Sequence, residues 1–404
     1  MVSRIASTAS MPRPRPRSAV SARVRSIPAS GIRRFFDILA TMDNVISLGV
    51  GEPDFVTPIG FRNAAVRSIR AGETSYTSNY GLLELRQALA NHLEKRYHVE
   101  YDPKREMLIT IGVSQALDLA LRAILDPGDE VIMADPTYVS YAPTTILAGG
   151  EPIYVPSTPQ GGFKITADDV AARVTPRTKA ILLGYPCNPT GAVLSRQELM
   201  EIALVAEEND LLVISDEIYD RLVYGGHQHT CFSSLPGMRD RTILLGGFSK
   251  AYAMTGWRIG YAAARPDILE GMMKVHQYTI MCAPTVAQYA ALEALRSGES
   301  AVQRMVEAYD RRRLLTVDGF NRLGLSCFEP QGAFYAFPSV ASTGLSSEDF
   351  AERLLLEERV AVVPGTAFGP AGDGHVRCCY ATSLKNIKEV LVRVERFLER
   401  RRPV

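Results

Sequence analysis

Residues 246–261 read GGFSKAYAMTGWRIGY. An apolar run, Thr242–Leu245, ends in two glycines; Lys250 follows at once, and Arg258 comes eight residues later. A lysine at the mouth of a buried strand admits two readings. One is a charged surface turn. The other is a nucleophilic amine beside an arginine that clamps a phosphate: an amine in a dry, cationic site has a lowered pKa and can condense with an aldehyde. Other residues bear on the choice. Asp216 ends the apolar run Leu211–Ser215, where a buried carboxylate needs a partner. That partner is a helix cap, a salt bridge or a protonated ring nitrogen. Ser114 and Gln115 open a helical pattern just after Gly112; free amides and the helix dipole there favour a phosphate, although an ordinary N-cap accounts for the same residues. Tyr138 can stack on a flat ring or pack in a core. Asn188 and Tyr219 can hydrogen-bond a ring oxygen, and NPTG around Asn188 also suits a β-turn. The chain has no GxxxxGK[ST] loop, and no GxGxxG follows a strand.

Elements of secondary structure must bring these residues together. Residues 104–265 alternate short apolar runs with helical patterns. MLITIG, VIMAD, TKAILLGYP, LLVISD, TILLGG and RIGYAAA read as strands, and SQALDLALRAIL as a helix. Strands that are nearly all apolar, separated by helices, predict a mostly parallel sheet covered on both faces. That is a doubly wound α/β domain. Residues 301–325 read as a charged amphipathic helix. AFYAFPSV, VAVVPG and HVRCCYA then suggest a small α+β domain that ends in a helix at 384–401. The expected organisation is a disordered basic extension (1–29), an arm with part of the small domain (30–60), a large domain (61–298) and a small domain (299–404). Open α/β sheets bind ligands outside the carboxyl ends of their strands. Ser114, Tyr138, Asn188, Asp216 with Tyr219, and Lys250 all follow such ends. A phosphate, an aldehyde, a ring nitrogen and a ring oxygen together describe pyridoxal 5′-phosphate, which proteins hold through a lysine Schiff base and an acidic partner.

Length and composition agree with that organisation. The 404 residues call for two domains, or one large domain with a smaller partner. With 46% hydrophobic and 22% charged residues, a sizeable core can form. A net charge of +1 gives no general attraction to nucleic acid or membrane, and no apolar run approaches the length of a membrane span. The six cysteines are scattered without a CxxC pair, so reduced thiols in a cytoplasmic setting are expected. His227 and His229 raise a metal site; without nearby cysteines or HExxH spacing, an exposed loop and no metal are expected. The N-terminus, MVSRIASTASMPRPRPRSAVSARVRS, has no acidic residue and cannot bury a core. Its composition suits a transit peptide or a plain extension with translation starting at Met11, and the plain extension is preferred.

From about residue 30 to its end, the chain resembles the class I/II aminotransferases of pyridoxal-phosphate fold type I. SLGVGEPDF, YPCNPTGA, SDEIY, GFSKAYAMTGWRIGY, PQGAFYAF and GHVRCCYATS match that family in order and spacing. The resemblance implies a three-layer α/β/α large domain with a mostly parallel sheet, plus a small α+β domain. It implies transfer of an amino group from an L-amino acid to a 2-oxo acid, 2-oxoglutarate being the expected acceptor. It also implies a homodimer with shared active sites. Lys250 matches the Schiff-base lysine and Asp216 the pyridinium partner. Asn188 and Tyr219 match the pair on the ring 3′-oxygen, and Tyr138 the stacking aromatic. Ser114, Gln115 and Arg258 match the phosphate cup, Ser249 a further cofactor-binding residue, and Tyr76 a residue that reaches the phosphate of the other subunit. Gly51, Asn188 and Arg377 match the site of the substrate α-carboxylate.

Two departures stand out. Gly247 replaces a serine that many relatives place on the phosphate. Ser114 stands where some aspartate-specific relatives carry lysine, which argues against strict aspartate specificity. The flavour is that of the bacterial aspartate, aromatic and N-acetyl-diaminopimelate aminotransferases. Ile32, Phe36, Tyr278 and Met281 form a mostly apolar set that favours aromatic or apolar donors, with dimer packing as the alternative role. Carbon–sulfur β-lyases share the scaffold, Lys250 and Asp216, and are the alternative function. A regulator with a helix-turn-helix domain in front is disfavoured, since too few residues precede the match.

Overall fold

The computed structural model describes residues 18–28 and 42–401. Its strands, in chain order, are β1 (Ile46–Ser47), β2 (Met107–Thr110), β3 (Glu130–Asp135), β4 (Glu151–Pro156), β5 (Thr178–Leu183), β6 (Leu212–Asp216), β7 (Thr242–Gly247), β8 (Gly260–Ala263), β9 (Tyr335–Ala336), β10 (Val360–Ala361), β11 (Val363–Pro364) and β12 (Val376–Cys379). Seven of them form one sheet in the order β2-β8-β7-β6-β5-β3-β4. The pairs β4–β3, β3–β5, β5–β6 and β6–β7 are parallel, and β8 alone runs antiparallel between β7 and β2.

The apolar runs are central strands because both faces of the sheet are covered. Val131 and Met133 of β3 pack with the helices Gly112–Ile124 and Pro266–Thr279. Ile132 between them packs on the opposite face with the helix Arg196–Glu208. Successive side chains of a strand point to opposite faces, so a strand buried on both sides has no polar positions to spare. β4 is different. It forms the sheet edge, keeps several residues exposed, and lacks the continuous apolar run that marks the central strands.

The C-terminal elements form a second assembly. β9, β12 and β11 make a three-stranded antiparallel sheet, and β1 pairs in parallel with β10. The helix expected at 301–325 spans Glu299–Arg322, and Gly324, with φ +82°, follows its end. The helix expected at 384–401 spans Leu384–Glu399. Within the stretch expected to be disordered, Ala22–Arg25 forms one helical turn, and Arg23 Nη1 donates to the Leu147 carbonyl at 3.2 Å. Residues 1–17, with Met11, lie outside the described residues, as do Ile32 and Phe36.

The strands that matter for chemistry, β2, β3, β5, β6 and β7, point their carboxyl ends to one rim. The C-terminal assembly brings β9 and β12 to that rim, together with the segment after β1.

Candidate active site

A cavity of about 430 Å³ opens at this rim. Ser114, Tyr138, Asn188, Asp216 and Tyr219 reach it from the large sheet, with Ser249, Lys250 and Arg258 following β7. Gly51 and Arg377 enter from the opposite side. Ten of the twelve residues singled out in the sequence therefore share one cavity. Gln115 and Tyr76 do not line it.

Asp216 ends β6 and is buried. Its Oδ2 accepts from the Tyr141 hydroxyl at 2.9 Å, and its Oδ1 from the Ile218 amide at 3.2 Å. Burial pushes its carboxyl up from 3.8 to about 6, against the pull of those two hydrogen bonds and of Lys250. Nothing in the local sequence marks Tyr141 as a partner of Asp216. It reaches Asp216 because residue 184 is glycine: a Cβ there would collide with the Tyr141 hydroxyl.

Lys250 is half-buried on the turn after β7, and its Nζ donates to the Gly51 carbonyl at 2.5 Å. Burial lowers its amine from 10.5 to about 8; Arg377 and Arg258 push the same way, while Cys379 and Glu52 oppose. The amine also faces aromatic rings, 5.6 Å from the centroid of Phe334 and 5.9 Å from that of Tyr219.

Arg377 of β12 is buried and tightly held. Nη1 donates to Asn188 Oδ1 at 2.9 Å and Nη2 to the Gly49 carbonyl at 2.6 Å. Its guanidinium carbon lies 4.5 Å from the Tyr335 ring centroid and 4.8 Å from that of Phe368. Nε is buried without a partner. Because Arg377 occupies the Asn188 oxygen, the Asn188 amide hydrogens stay available to the cavity. Tyr335, which lines the cavity, places its hydroxyl 2.7 Å from that of Tyr219.

The opposite end of the cavity suits an anion. The helix Gly112–Ile124 begins there without a side-chain cap, which leaves first-turn amides free. The Arg258 guanidinium packs so closely on Gly112 that a Cβ at residue 112 would stand 2.5 Å from Nη2. Tyr138 sits edge-on to Tyr141, with centroids 5.5 Å apart. At Gly247, a Cβ would meet Val113 Cγ2 at 3.0 Å and Ile218 Cδ1 at 3.2 Å. A serine at this position would need Val113 and Ile218 to give by a few tenths of an ångström.

Two placements, those of Gln115 and His229, differ from simple expectation. The Gln115 side chain turns away from the cavity: Oε1 accepts from the Ile111 amide at 2.7 Å, and Nε2 lies 3.1 Å from His276 Nδ1. Only its backbone remains for a phosphate. Tyr76 is 79% exposed, as are Tyr278 at 86% and Met281 at 45%. The 227–229 loop is exposed at His227 and Gln228 but not at His229. His227 is open to solvent, but the His229 side chain is buried, with Nε2 2.7 Å from Glu217 Oε2. A buried Glu217 needs a counterion, and that need overrides the polar look of the loop. Among the described residues, no three His, Cys, Asp or Glu side chains cluster as a metal site would require.

The donor set fits pyridoxal 5′-phosphate. An uncapped helix terminus with Arg258 suits the phosphate, the buried Asp216 carboxylate suits a protonated ring nitrogen, and a lysine of lowered pKa suits the aldehyde. The partnerless Nε of Arg377 suits a carboxylate brought by a second molecule.

Comparison with known proteins agrees. The family model described as aminotransferase class I and II matches residues 43–394. A putative aminotransferase, YugH of Bacillus subtilis, is 53% identical over 95% of this chain and 99% of its own. An aspartate aminotransferase of Pyrococcus abyssi is 46% identical over 95% of this chain and 99% of its own. The crystal structure of an aromatic aminotransferase from Pyrococcus horikoshii superimposes with a TM-score of 0.88 at 46% identity, covering 92% of this chain and 100% of that one.

Proposed function

The chain belongs to the aminotransferase class I and II family and is a pyridoxal 5′-phosphate-dependent aminotransferase; we propose that it takes amino groups from a broad set of L-amino acids, aromatic ones included, with 2-oxoglutarate as acceptor. The observation that carries this reading is the Arg377 guanidinium, packed against the Tyr335 and Phe368 rings, left with a buried, partnerless Nε, and lining the same cavity as Lys250. The lyase alternative is not favoured, because the relatives above are aminotransferases. Broad specificity is supported by Ser114, which offers no cation for a distal carboxylate, and by the exposed Tyr278 and Met281, which a dimer would carry toward the partner's cavity.

When bound, the cofactor supplies an aldehyde that accepts and returns the amino group and a ring that withdraws electrons from the substrate carbon. The residues around it have separable tasks. Ser114, Ser249, Arg258 and the free amides that include the Gln115 backbone hold the phosphate. Tyr138 covers a ring face. Asp216, fixed by Tyr141, keeps a proton on the ring nitrogen. Asn188 Nδ2 and the Tyr219 hydroxyl donate to the ring oxygen. Arg377 binds the substrate α-carboxylate through Nε and a second N–H, so the two groups meet in one orientation; Gly51 leaves room for it. Lys250 Nζ, the point of covalent attachment, moves the proton at the substrate Cα. Its lowered pKa leaves an appreciable share of the amine unprotonated near neutral pH, and such acid–base action contributes ~10²–10⁴-fold.

We further read the chain as a homodimer in which Tyr76 of each copy completes the phosphate site of the other. The exposed Tyr76, Tyr278 and Met281 support this. The separate sheets support the division into a large domain at 61–298 and a small one at 299–404 with part of the arm. Six free cysteines support a cytoplasmic setting.

The test is spectroscopic. The purified holoenzyme, given single amino acids without an acceptor, should bleach from the yellow to the pyridoxamine form, with L-tyrosine, L-phenylalanine, L-aspartate and L-glutamate all active. Bleaching by aspartate and glutamate alone would refute the broad specificity.

A further inference from the structure

We propose that Tyr335 is a positioning residue that ties the carboxylate clamp to the hydroxyl facing the cofactor's ring oxygen; the inference rests on the roles proposed above for Tyr219 and Arg377. Tyr335 stands on β9, buried, and touches both ends of the reaction site. Its hydroxyl is 2.7 Å from the Tyr219 hydroxyl. Its ring lies under the Arg377 guanidinium, 4.5 Å from centroid to Cζ. A Cβ at residue 51 would collide with the Tyr335 hydroxyl, so the glycine of the neighbouring segment is what admits it.

The direction of the hydrogen bond matters. Burial, and the presence of one phenol beside the other, push the Tyr219 hydroxyl well up. Burial also pushes up the Tyr335 hydroxyl, although Arg377 opposes it. Both phenols keep their protons at physiological pH. Two hydroxyls at this distance share one proton along their line, and the other remains free. If Tyr335 donates, the free proton belongs to Tyr219 and can point into the cavity. If Tyr219 donates, it offers the cavity only a lone pair. A ring oxygenate accepts and does not donate, so it selects the order Tyr335 to Tyr219 to ring oxygen, in which each bond strengthens the next. Arg377 meanwhile holds Asn188 by its oxygen, leaving the Asn188 amide to donate to the same ring oxygen. One tyrosine thus orients the donor on the ring oxygen and packs against the cation that receives the substrate.

The hydroxyl and the ring can be tested apart. Tyr335→Phe keeps the ring on Arg377 and removes the donor to Tyr219. A hydrogen bond on the ring oxygen weakens its hold on the neighbouring lysine nitrogen's proton, so losing support for that bond raises the pH at which the bound cofactor changes colour. In the holoenzyme, Tyr335→Phe should raise this midpoint by roughly half to one unit, as expected for one hydrogen bond. Tyr219→Phe should raise it at least as much, and the double variant no further than Tyr219→Phe alone. The KM for amino acids should stay near wild type in Tyr335→Phe and rise several-fold in Tyr335→Leu. An unmoved midpoint in Tyr335→Phe, or shifts that add in the double variant, would overturn the inference while leaving the Tyr219 role intact. An unmoved midpoint in Tyr219→Phe would overturn that role and this inference with it. Tyr335→Phe preserves the packed ring, so it reports even if Tyr335→Leu does not fold.

Discussion

Replacing Asp216 by asparagine should stabilise the cofactor-free protein while abolishing most of its activity. The carboxylate is buried and accepts two hydrogen bonds, from Tyr141 and from the Ile218 amide. Burial lifts its pKa from 3.8 to about 6. The folded state therefore holds this proton more tightly than the unfolded chain does. The group supports folding fully below the unfolded value, and that support is lost as pH rises through about 6. A lift of roughly two units, at about 1.4 kcal/mol each, costs the folded apoprotein about 3 kcal/mol at neutral pH. Asparagine has no charge to bury, but its amide nitrogen cannot accept the second hydrogen bond, a loss of about 1 kcal/mol. The net expectation is a gain of about 2 kcal/mol at neutral pH. Urea unfolding of the two apoproteins, compared at about pH 4.5 and pH 7.5, should show the advantage only at the higher pH. Added pyridoxal 5′-phosphate should then stabilise the wild type more than the variant, because only the wild type offers a charge to the ring nitrogen. An apoprotein variant no more stable than wild type at neutral pH, or a gap that ignores pH, would refute the reasoning. Such a result would mean that the carboxylate is not held ionised against its surroundings.

Three further substitutions probe other parts of the site and its support. Lys250→Ala should still take up cofactor but slow single-turnover bleaching by at least ~10²-fold, partly restored by small amines; near-normal bleaching would remove Lys250 from proton transfer. Arg377→Lys should raise KM for amino acids roughly 10- to 100-fold, because a point charge cannot reproduce the planar fork. An unchanged KM in steady-state assays would take the carboxylate elsewhere. His229→Leu strands the buried Glu217 carboxylate and should destabilise the protein by about 3 kcal/mol in denaturant titrations. Burial alone would lower the pKa of His229, but Glu217 outweighs burial and raises it above 6.5. The stability it adds is therefore complete below the unfolded value and fades as pH climbs through the raised one. A gap between wild type and His229→Leu that does not narrow at alkaline pH would show an uncharged imidazole.

The sheet could be read from the sequence because covering both faces leaves a strand almost no polar positions. β2, β3, β5, β6, β7 and β8 announce themselves by that composition. β4 does not, since an edge strand with one open face carries Glu151, Pro152 and Pro156. The site residues at strand ends were legible for a related reason. A lysine, an aspartate or an asparagine directly after an apolar run is locally out of character, and local contrast is what a single sequence displays.

Residues that orient those side chains show no such contrast. Tyr141 lies 75 residues from Asp216, and Tyr335 lies 116 residues from Tyr219. Each looks like core aromatic packing until the fold brings a polar atom to its hydroxyl. What permits both contacts is a missing side chain, at Gly184 for Tyr141 and at Gly51 for Tyr335, and a glycine near a strand end looks the same whether it serves a turn or a close approach. Gln115 errs in the other direction. Its position at a helix start suggests a ligand contact, but the Ile111 amide needs an acceptor and His276 needs a neighbour, and these local demands claim the side chain. A residue's type thus suggests what chemistry it can perform. Its hydrogen-bond partners decide which atom faces the cavity, and those partners come from distant segments that only the folded chain brings together.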